Sequence, residues 1–162
     1  REMIDLLVSD ADMLPNEAAE QISIRRIAAR ESDRKAVEIM EPIPSIQAAS
    51  NVRQAAAALI GSPSPILAVV NDKAELAGVV TDWDITRATS MGSPDNLLLA
   101  EVMTRDVVAA DPQDGILEVI RKLEHHEISA MPVVSGKSVL GMISSDLLAR
   151  RSLLRLLQSQ IN

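Results

Sequence analysis

Aromatic residues and cysteines are almost absent from this sequence. Its 162 residues include one tryptophan, no tyrosine, no phenylalanine and no cysteine. Without cysteine the chain forms neither disulfides nor thiolate metal sites, which is compatible with a reducing cytosol. Without phenylalanine and tyrosine the core must be built from Ala, Val, Ile, Leu and Met, and Trp83 is the one obvious ring for stacking on a nucleic-acid base.

Positive charge and long apolar runs are also scarce. The chain carries 16 Lys and Arg against 23 Asp and Glu, a formal net charge of −7, and no segment is strongly basic, so we expect no nucleic-acid partner. The longest apolar runs, such as Ile66–Val70, are far too short to span a bilayer, so we expect no membrane segment and a cytoplasmic location. With 47% hydrophobic and 24% charged residues, the chain is typical of a globular protein.

Recognisable active-site motifs are missing as well. The chain has no cysteine nucleophile, no glycine-rich phosphate loop and no G-x-S-x-G elbow. His125 and His126 are adjacent in a polar stretch, and neighbours on a helix do not face one another, so a metal site is not expected there. We therefore expect a protein that is not an enzyme and that holds neither a metal nor a catalytic cofactor.

What the sequence does contain is an internal repeat of about 63 residues, the distance from Met40 to Met103. Two apolar quartets with the i, i+3, i+4, i+7 spacing of an amphipathic helix occupy matching positions. They are Val52, Ala55, Ala56 and Leu59 in the first copy, and Ile116, Val119, Ile120 and Leu123 in the second.

Each copy continues with a predicted hairpin. Ile66–Val70 and Leu76–Val80 are separated by a short polar turn, and so are Ala130–Val134 and Val139–Ile143. A helical pattern follows at Thr81 or Ser144. Each copy is thus predicted to be strand–helix–strand–strand–helix, and the fold class is α/β (α+β).

The repeat divides the chain into four predicted parts. Residues 37–94 are the first copy and residues 95–152 the second. Residues 1–36 are a helical lead-in, in which Met3, Ile4, Leu7 and Val8 share one helical face, and residues 153–162 are a helical tail. The chain begins with Arg1, so we expect it to be a piece of a longer protein.

Several short sequence phrases occur in the same order in both copies, and together they resemble the tandem cystathionine-β-synthase (CBS) domain, the Bateman module. The phrases are "GVVTDWDITRA" and the stretch from "EVMTRD" to "ISAMPVV" and "GMISSDLLARR", with "EIMEPIPSI" as a weaker match. The resemblance implies two β-α-β-β-α units packed about a pseudo-twofold axis, preceded here by helices that resemble the linkers of bacterial signalling proteins. It also implies two clefts for AMP, ADP, ATP or S-adenosylmethionine, a homodimer, and regulation of a fused or partner domain.

The first candidate site lies at Thr81 and Asp84. Their spacing is that of a capping box, so the pair is interpreted equally well as a helix start alone. A helix N-terminus also suits a phosphate. The resemblance assigns Thr81 to the phosphate, Asp84 to the ribose, and Ile128, Ser129 and Ala130 of the other copy to the adenine, although Ile128 and Ala130 are equally well interpreted as core and Ser129 as a strand-start hydroxyl.

Two departures from the family pattern qualify these sites. The stretch Ser62–Ile66 carries no basic residue, which disfavours a polyphosphate at the Asp84 cleft. In the second copy Leu147 stands three residues after Ser144, and Asp146 comes one residue early, rotated by about 100° on a helix. The cleft of Ser144 and Asp146 is therefore ranked second.

Two hypotheses remain. In the first, the module senses an adenosine-containing ligand that bridges the copies. In the second, it is a ligand-free dimerisation scaffold whose clefts are vestigial. Trp83 is left with three interpretations, because it could cover the first cleft, form a dimer contact or pack within the chain.

Overall fold

The computed structural model describes residues 34–151. The predicted lead-in, up to residue 33, and the predicted tail lie outside the described residues. The elements in chain order are α1 (Ala36–Ile39), β1 (Ser45–Gln47), α2 (Val52–Ile60), β2 (Ile66–Val70), β3 (Leu76–Thr81), α3 (Asp82–Met91), α4 (Leu99–Val102), α5 (Ile116–His125), β4 (Ala130–Ser135) and β5 (Ser138–Ser144). Residues 145–151 are also helical and are called α6. No helix within residues 34–151 is long and apolar enough to cross a membrane.

The first copy, repeat 1, forms a three-stranded sheet in the order β1–β2–β3. β1 runs parallel to β2, and β3 runs antiparallel to β2 with Ile66 opposite Thr81. The five-element prediction is confirmed for this copy, since α2 follows β1 and α3 follows β3.

Repeat 2 has the same hairpin, β4–β5, but a single β-bridge stands where repeat 1 has the strand β1. Ala110 pairs in parallel with Val133, through hydrogen bonds to Pro132 and Val134 that are both 2.9 Å long. The chain turns directly afterwards, because the Asp111 carboxylate accepts from the Gln113 N–H at 2.8 Å. A turn at this point leaves no residues to extend the ladder.

The predicted apolar stripes face two small cores. All four predicted residues of α5 are buried, and in α2 Val52 and Ala55 are buried while Ala56 and Leu59 are half-buried. Burial of Val, Leu and Ile side chains contributes about 1.5–3 kcal/mol each, so these stripes hold each helix on its sheet.

The opening segments of the two repeats are exchanged. Glu41, which opens repeat 1, pairs with Met142 of β5 through two backbone hydrogen bonds of 2.9 and 2.8 Å. Thr104, which opens repeat 2, pairs in the same way with Val79 of β3 at 2.9 and 3.0 Å. Each copy therefore completes the hairpin edge of the other, as a pseudo-twofold arrangement requires.

Glycine makes this exchange sterically possible. A Cβ on Gly78 would lie 2.7 Å from the Thr104 carbonyl oxygen, and one on Gly141 would lie 2.7 Å from the Glu41 carbonyl oxygen. Both distances are shorter than van der Waals contact, so any side chain would push the opening segment away from the hairpin.

Candidate functional site

The helix start at Thr81 is a closed capping box. The Thr81 hydroxyl oxygen accepts from the Asp84 N–H at 3.2 Å. The Asp84 carboxylate accepts in return from the Thr81 N–H at 3.0 Å and from the Thr81 hydroxyl at 2.9 Å. The interpretation of this pair as a helix start is confirmed.

Both oxygens of the Asp84 carboxylate accept hydrogen bonds within the chain. Asp84 is only 7% exposed, and its second carboxylate oxygen accepts from the Arg87 guanidinium at 3.3 Å. A ribose at this carboxylate would have to share its oxygens with Thr81 and Arg87 or displace one of them. Its role in ligand binding stays a prediction.

The helix start at Ser144 is half of the same motif. The buried Ser144 hydroxyl oxygen accepts from the Leu147 N–H at 3.1 Å. Leu147 stands where repeat 1 has Asp84, and its side chain is buried in the core of repeat 2. The reciprocal carboxylate bond is therefore replaced by apolar packing, and the exposed Asp146 is left for other contacts.

A cavity of about 830 Å³ opens beside Ser144, between the two copies. Repeat 1 supplies Glu41–Pro44 and Ser62–Pro65 to its wall. Repeat 2 supplies Met142, Ser144, Asp146, Leu147 and Arg150. Its volume falls within the roughly 300–1,000 Å³ of small-molecule pockets. The cleft that the sequence ranks second thus has room for a ligand, and of the described residues neither Thr81 nor Asp84 lines this space.

The prediction that the Ser62–Ile66 stretch lies at the Asp84 cleft is wrong. Sequence reasoning assigned it to the Asp84 cleft, whereas Ser62–Pro65 lines the Ser144 cavity. The Ser64 hydroxyl lies 2.9 Å from the Met142 sulfur of β5. The reason is the pseudo-twofold packing, which sets the segment before β2 against the hairpin of the other copy.

The same symmetry bears on the predicted adenine residues. Ile128, Ser129 and Ala130 are the repeat-2 counterparts of Ser64, Pro65 and Ile66, which places them toward the Thr81 cleft by symmetry. Within their own repeat, Ala130 pairs with Ser144, and Ile128 packs against the core. The Ser129 carbonyl accepts from the Ser145 N–H at 2.9 Å. Adenine binding by these three residues stays a prediction.

Sequence reasoning missed several wall residues of the Ser144 cavity, namely Glu41–Pro44 and Arg150. The sequence does contain a signal for most of these wall residues, a Pro-x-Pro pattern that occurs twice. Pro42-Ile43-Pro44 directly precedes β1, and Pro63-Ser64-Pro65 directly precedes β2. Proline fixes the backbone angle φ, so these segments are rigid before any ligand arrives.

Most backbone donors around the cavity are either missing or already used. Pro42, Pro44, Pro63 and Pro65 have no N–H, and they are four of the eight prolines in the chain. The Ser62 N–H donates to the Leu59 carbonyl and the Ser64 N–H to the Ser62 hydroxyl oxygen, both at 3.1 Å. At the α6 start the Ser145 and Leu147 N–H groups bond to Ser129 and Ser144. Few donors remain for the phosphate that a helix N-terminus would otherwise attract.

The charges of the cavity are mostly acidic. Glu41 and Asp146 carry carboxylates, and Arg150 is the one basic residue among its described lining residues. The Arg150 guanidinium donates to the Glu41 carboxylate, an ion pair that joins the two repeats across the cavity. Two carboxylates against one guanidinium leave a formal charge of −1, so the wall favours a neutral or cationic guest over an anionic one.

The family model of the CBS domain matches residues 35–90 and again residues 99–153. The chain belongs to the CBS domain family. The two matches follow the two copies of the repeat, so residues 35–153 are a tandem CBS pair.

Curated relatives of this CBS pair are much longer proteins. A homoserine O-acetyltransferase of Methanocorpusculum labreanum is 39% identical over 113 residues, which make up 69% of this chain and 23% of that protein. An L-aspartate semialdehyde sulfurtransferase of Methanosarcina acetivorans is 41% identical over 90 residues, 52% of this chain and 18% of that protein. The chain thus spans about a fifth of the length of these relatives.

Solved structures share the fold. The CBS domain pair of protein MJ0100, in complex with 5′-methylthioadenosine and S-adenosyl-L-methionine, matches with a TM-score of 0.66 and 27% identity, over 73% of this chain and 98% of that chain. The hexameric CBS-CP12 protein from bloom-forming cyanobacteria matches with a TM-score of 0.65 and 27% identity, over 74% of this chain and 71% of that chain.

Proposed function

We propose that this CBS pair is a non-catalytic sensor that binds an adenosine-containing small molecule in the Ser144 cavity. The observation that carries the proposal is the cavity itself, whose wall comes from both repeats. A ligand that contacts both repeats stabilises one relative arrangement of them over others. That differential affinity is what a regulatory module needs in order to act on another domain.

The cavity wall supports a neutral or cationic ligand. Four of its lining residues are prolines without an N–H, its formal charge is −1, and its one arginine is paired with Glu41. Carbonyls and carboxylates accept hydrogen bonds from an amino group or a hydroxyl. We therefore propose 5′-methylthioadenosine or S-adenosylmethionine as the ligand in preference to AMP, ADP or ATP. The match to the MJ0100 pair, which was solved with the first two compounds, supports this choice.

The controlled domain is proposed to be fused to the CBS pair or to bind it as a partner. The match of this short chain to a fifth of much longer relatives with enzyme names supports a fused effector. We also propose that the module works as a homodimer in the cytoplasm. Association of the hexameric CBS-CP12 protein supports self-assembly of the module.

A thermal-denaturation panel tests the ligand. Methylthioadenosine, S-adenosylmethionine, AMP, ADP and ATP are each added to the wild-type chain and to two matched variants, Asp146→Asn and Asp84→Asn. A ligand at 100 times its Kd stabilises by about 2.7 kcal/mol, which is roughly 5–10 °C for a chain of this size. We expect such a shift with one of the first two compounds and little with the three nucleotides.

The two variants locate the site. Loss of the shift in Asp146→Asn with retention in Asp84→Asn supports the Ser144 cavity. The reverse result overturns that placement and supports the Thr81 cleft. A larger shift with ATP than with S-adenosylmethionine overturns the ligand class, and no shift with any compound favours the ligand-free scaffold.

A further inference from the structure

One ion pair crosses the Ser144 cavity from repeat 2 to repeat 1. The Arg150 guanidinium of α6 donates to the Glu41 carboxylate, which belongs to the opening segment of repeat 1. Both residues line the cavity. The Arg150 side chain is 61% exposed and the Glu41 side chain 37%, so a ligand in the cavity can reach either partner.

Repeat 1 shows that the fold does not require its arginine to pair across the repeats. Arg87 holds the position in α3 that Arg150 holds in α6. It pairs with Asp84 of its own helix, at 3.3 Å. In repeat 2 the buried Leu147 stands in place of Asp84, and Glu41 of the other repeat supplies the carboxylate. The two clefts therefore differ in where the arginine finds its partner.

The backbone keeps Glu41 at the cavity wall. Its N–H and carbonyl are both bonded to Met142 of β5, at 2.9 and 2.8 Å, and the carbonyl oxygen lies directly over Gly141. An anionic ligand group that binds Arg150 would therefore lie close to a carboxylate whose backbone cannot move away. Like charges at such a distance repel each other, and repulsion is stronger beside protein than in bulk water.

A second carboxylate adds to this repulsion. Asp146 precedes Arg150 by four residues on α6, and side chains at this spacing are neighbours on a helix. Arg150 nevertheless donates to Glu41, and no ion pair within residues 34–151 engages Asp146. An anion at Arg150 would thus meet two carboxylates, one from each repeat.

We propose that Glu41 sets the charge selectivity of the Ser144 cavity by keeping Arg150 from an anionic ligand. This inference rests on the proposed function and names the residue that decides its ligand class. A phosphate would have to take the guanidinium from Glu41, and would break a contact that joins the repeats. A neutral or cationic adenosine compound leaves that contact in place, so the two classes differ in the arrangement of repeats that they favour.

The variant Glu41→Gln tests this role, because it removes the charge and keeps the shape of the side chain. Calorimetric titration of the full chain with AMP and with 5′-methylthioadenosine gives the ratio of their Kd values. These two adenosine compounds differ at the 5′ position, where one carries a phosphate and the other a neutral thioether. We expect the ratio to shift toward AMP by roughly tenfold or more, since the guanidinium gains a charged partner. Adding Arg150→Gln should abolish this gain.

Glu75→Gln is the matched control. Glu75 of repeat 1 lies 3.8 Å from Lys137 of repeat 2, so this variant removes the same charge from another ion pair that joins the repeats. Neither residue is among the described lining residues of the cavity. The ratio should stay at its wild-type value. A structural loss alone would weaken the binding of both compounds alike and would leave the ratio unchanged.

Four results overturn the inference. An unchanged ratio in Glu41→Gln shows that Glu41 does not set the selectivity, while the sensor proposal stands if the wild type binds methylthioadenosine. An equal shift in Glu75→Gln shows that overall charge governs the preference. A gain that survives Arg150→Gln assigns the phosphate to another group. Absence of binding of both compounds to the wild type and to every variant overturns the proposed ligand site and this inference with it.

Discussion

Gly141→Ala tests whether the exchanged opening segments hold the cavity together. Gly141 lies in β5, and its missing side chain lets the Glu41 backbone approach. An alanine Cβ would lie 2.7 Å from the Glu41 carbonyl oxygen and 3.0 Å from the Met40 sulfur. The methionine side chain can rotate away, but the carbonyl oxygen belongs to a backbone that is hydrogen-bonded to Met142 at 2.8 Å. The strain must therefore move the backbone.

The expected cost follows from that geometry. Inserting one methyl group into a tightly packed site costs about 1–3 kcal/mol, which is roughly 2–12 °C in Tm for a chain of this length. Because Glu41 lines the cavity, the variant should also bind the ligand more weakly than Gly78→Ala does. Gly78→Ala imposes the same 2.7 Å contact on Thr104, at the other cleft.

Urea and thermal unfolding followed by far-ultraviolet circular dichroism measure the stability, and calorimetric titration measures the affinity. Gly61→Ala is the control, because its Cβ would lie 3.5 Å from the nearest backbone atom, an ordinary contact. It should be neutral or stabilise by about 0.4–1 kcal/mol. If Gly141→Ala unfolds like Gly61→Ala, the close approach of Glu41 does not constrain the fold, and the exchanged opening segment does not hold the cavity together.

Two further predictions concern polar groups outside the cavity. Thr81→Ala should lower the free energy of unfolding by about 0.5–2 kcal/mol in a urea titration, and Thr81→Ser should restore it; equal losses would contradict the capping role. Burial raises the pKa of Asp114, but Lys122 at 2.7 Å and the Asp111 N–H hold that pKa below the usual 3.8. The stability this carboxylate contributes is therefore complete above the usual pKa and lost as pH falls through the folded pKa. The difference in unfolding free energy between wild type and Asp114→Asn should shrink as the pH falls through the folded pKa, and a difference that does not change with pH would contradict the ion pair.

The sequence determined the elements that depend on local pattern. The i, i+3, i+4, i+7 stripe predicted α5, and two short apolar runs around a polar turn predicted each hairpin, because side-chain periodicity follows backbone geometry directly. The capping box of Thr81 and Asp84 was also predictable, since both partners lie within one helical turn. The order of phrases in two copies was enough to predict the CBS fold.

Only the tertiary structure decided which segments share a cavity. The pairing of Glu41 with Met142 and the contact of Ser64 with Met142 join residues about 80 to 100 positions apart, and a single bridge leaves no periodic trace in the sequence. The same holds for the ion pair of Glu41 with Arg150. Residue spacing alone favoured the cleft of Thr81 and Asp84. In the folded chain, however, the Asp84 carboxylate is hydrogen-bonded to Thr81 and Arg87. In the folded chain a cavity opens at the cleft of Ser144 and Asp146, where a buried Leu147 stands in place of the second capping carboxylate and Asp146 lies at the cavity wall.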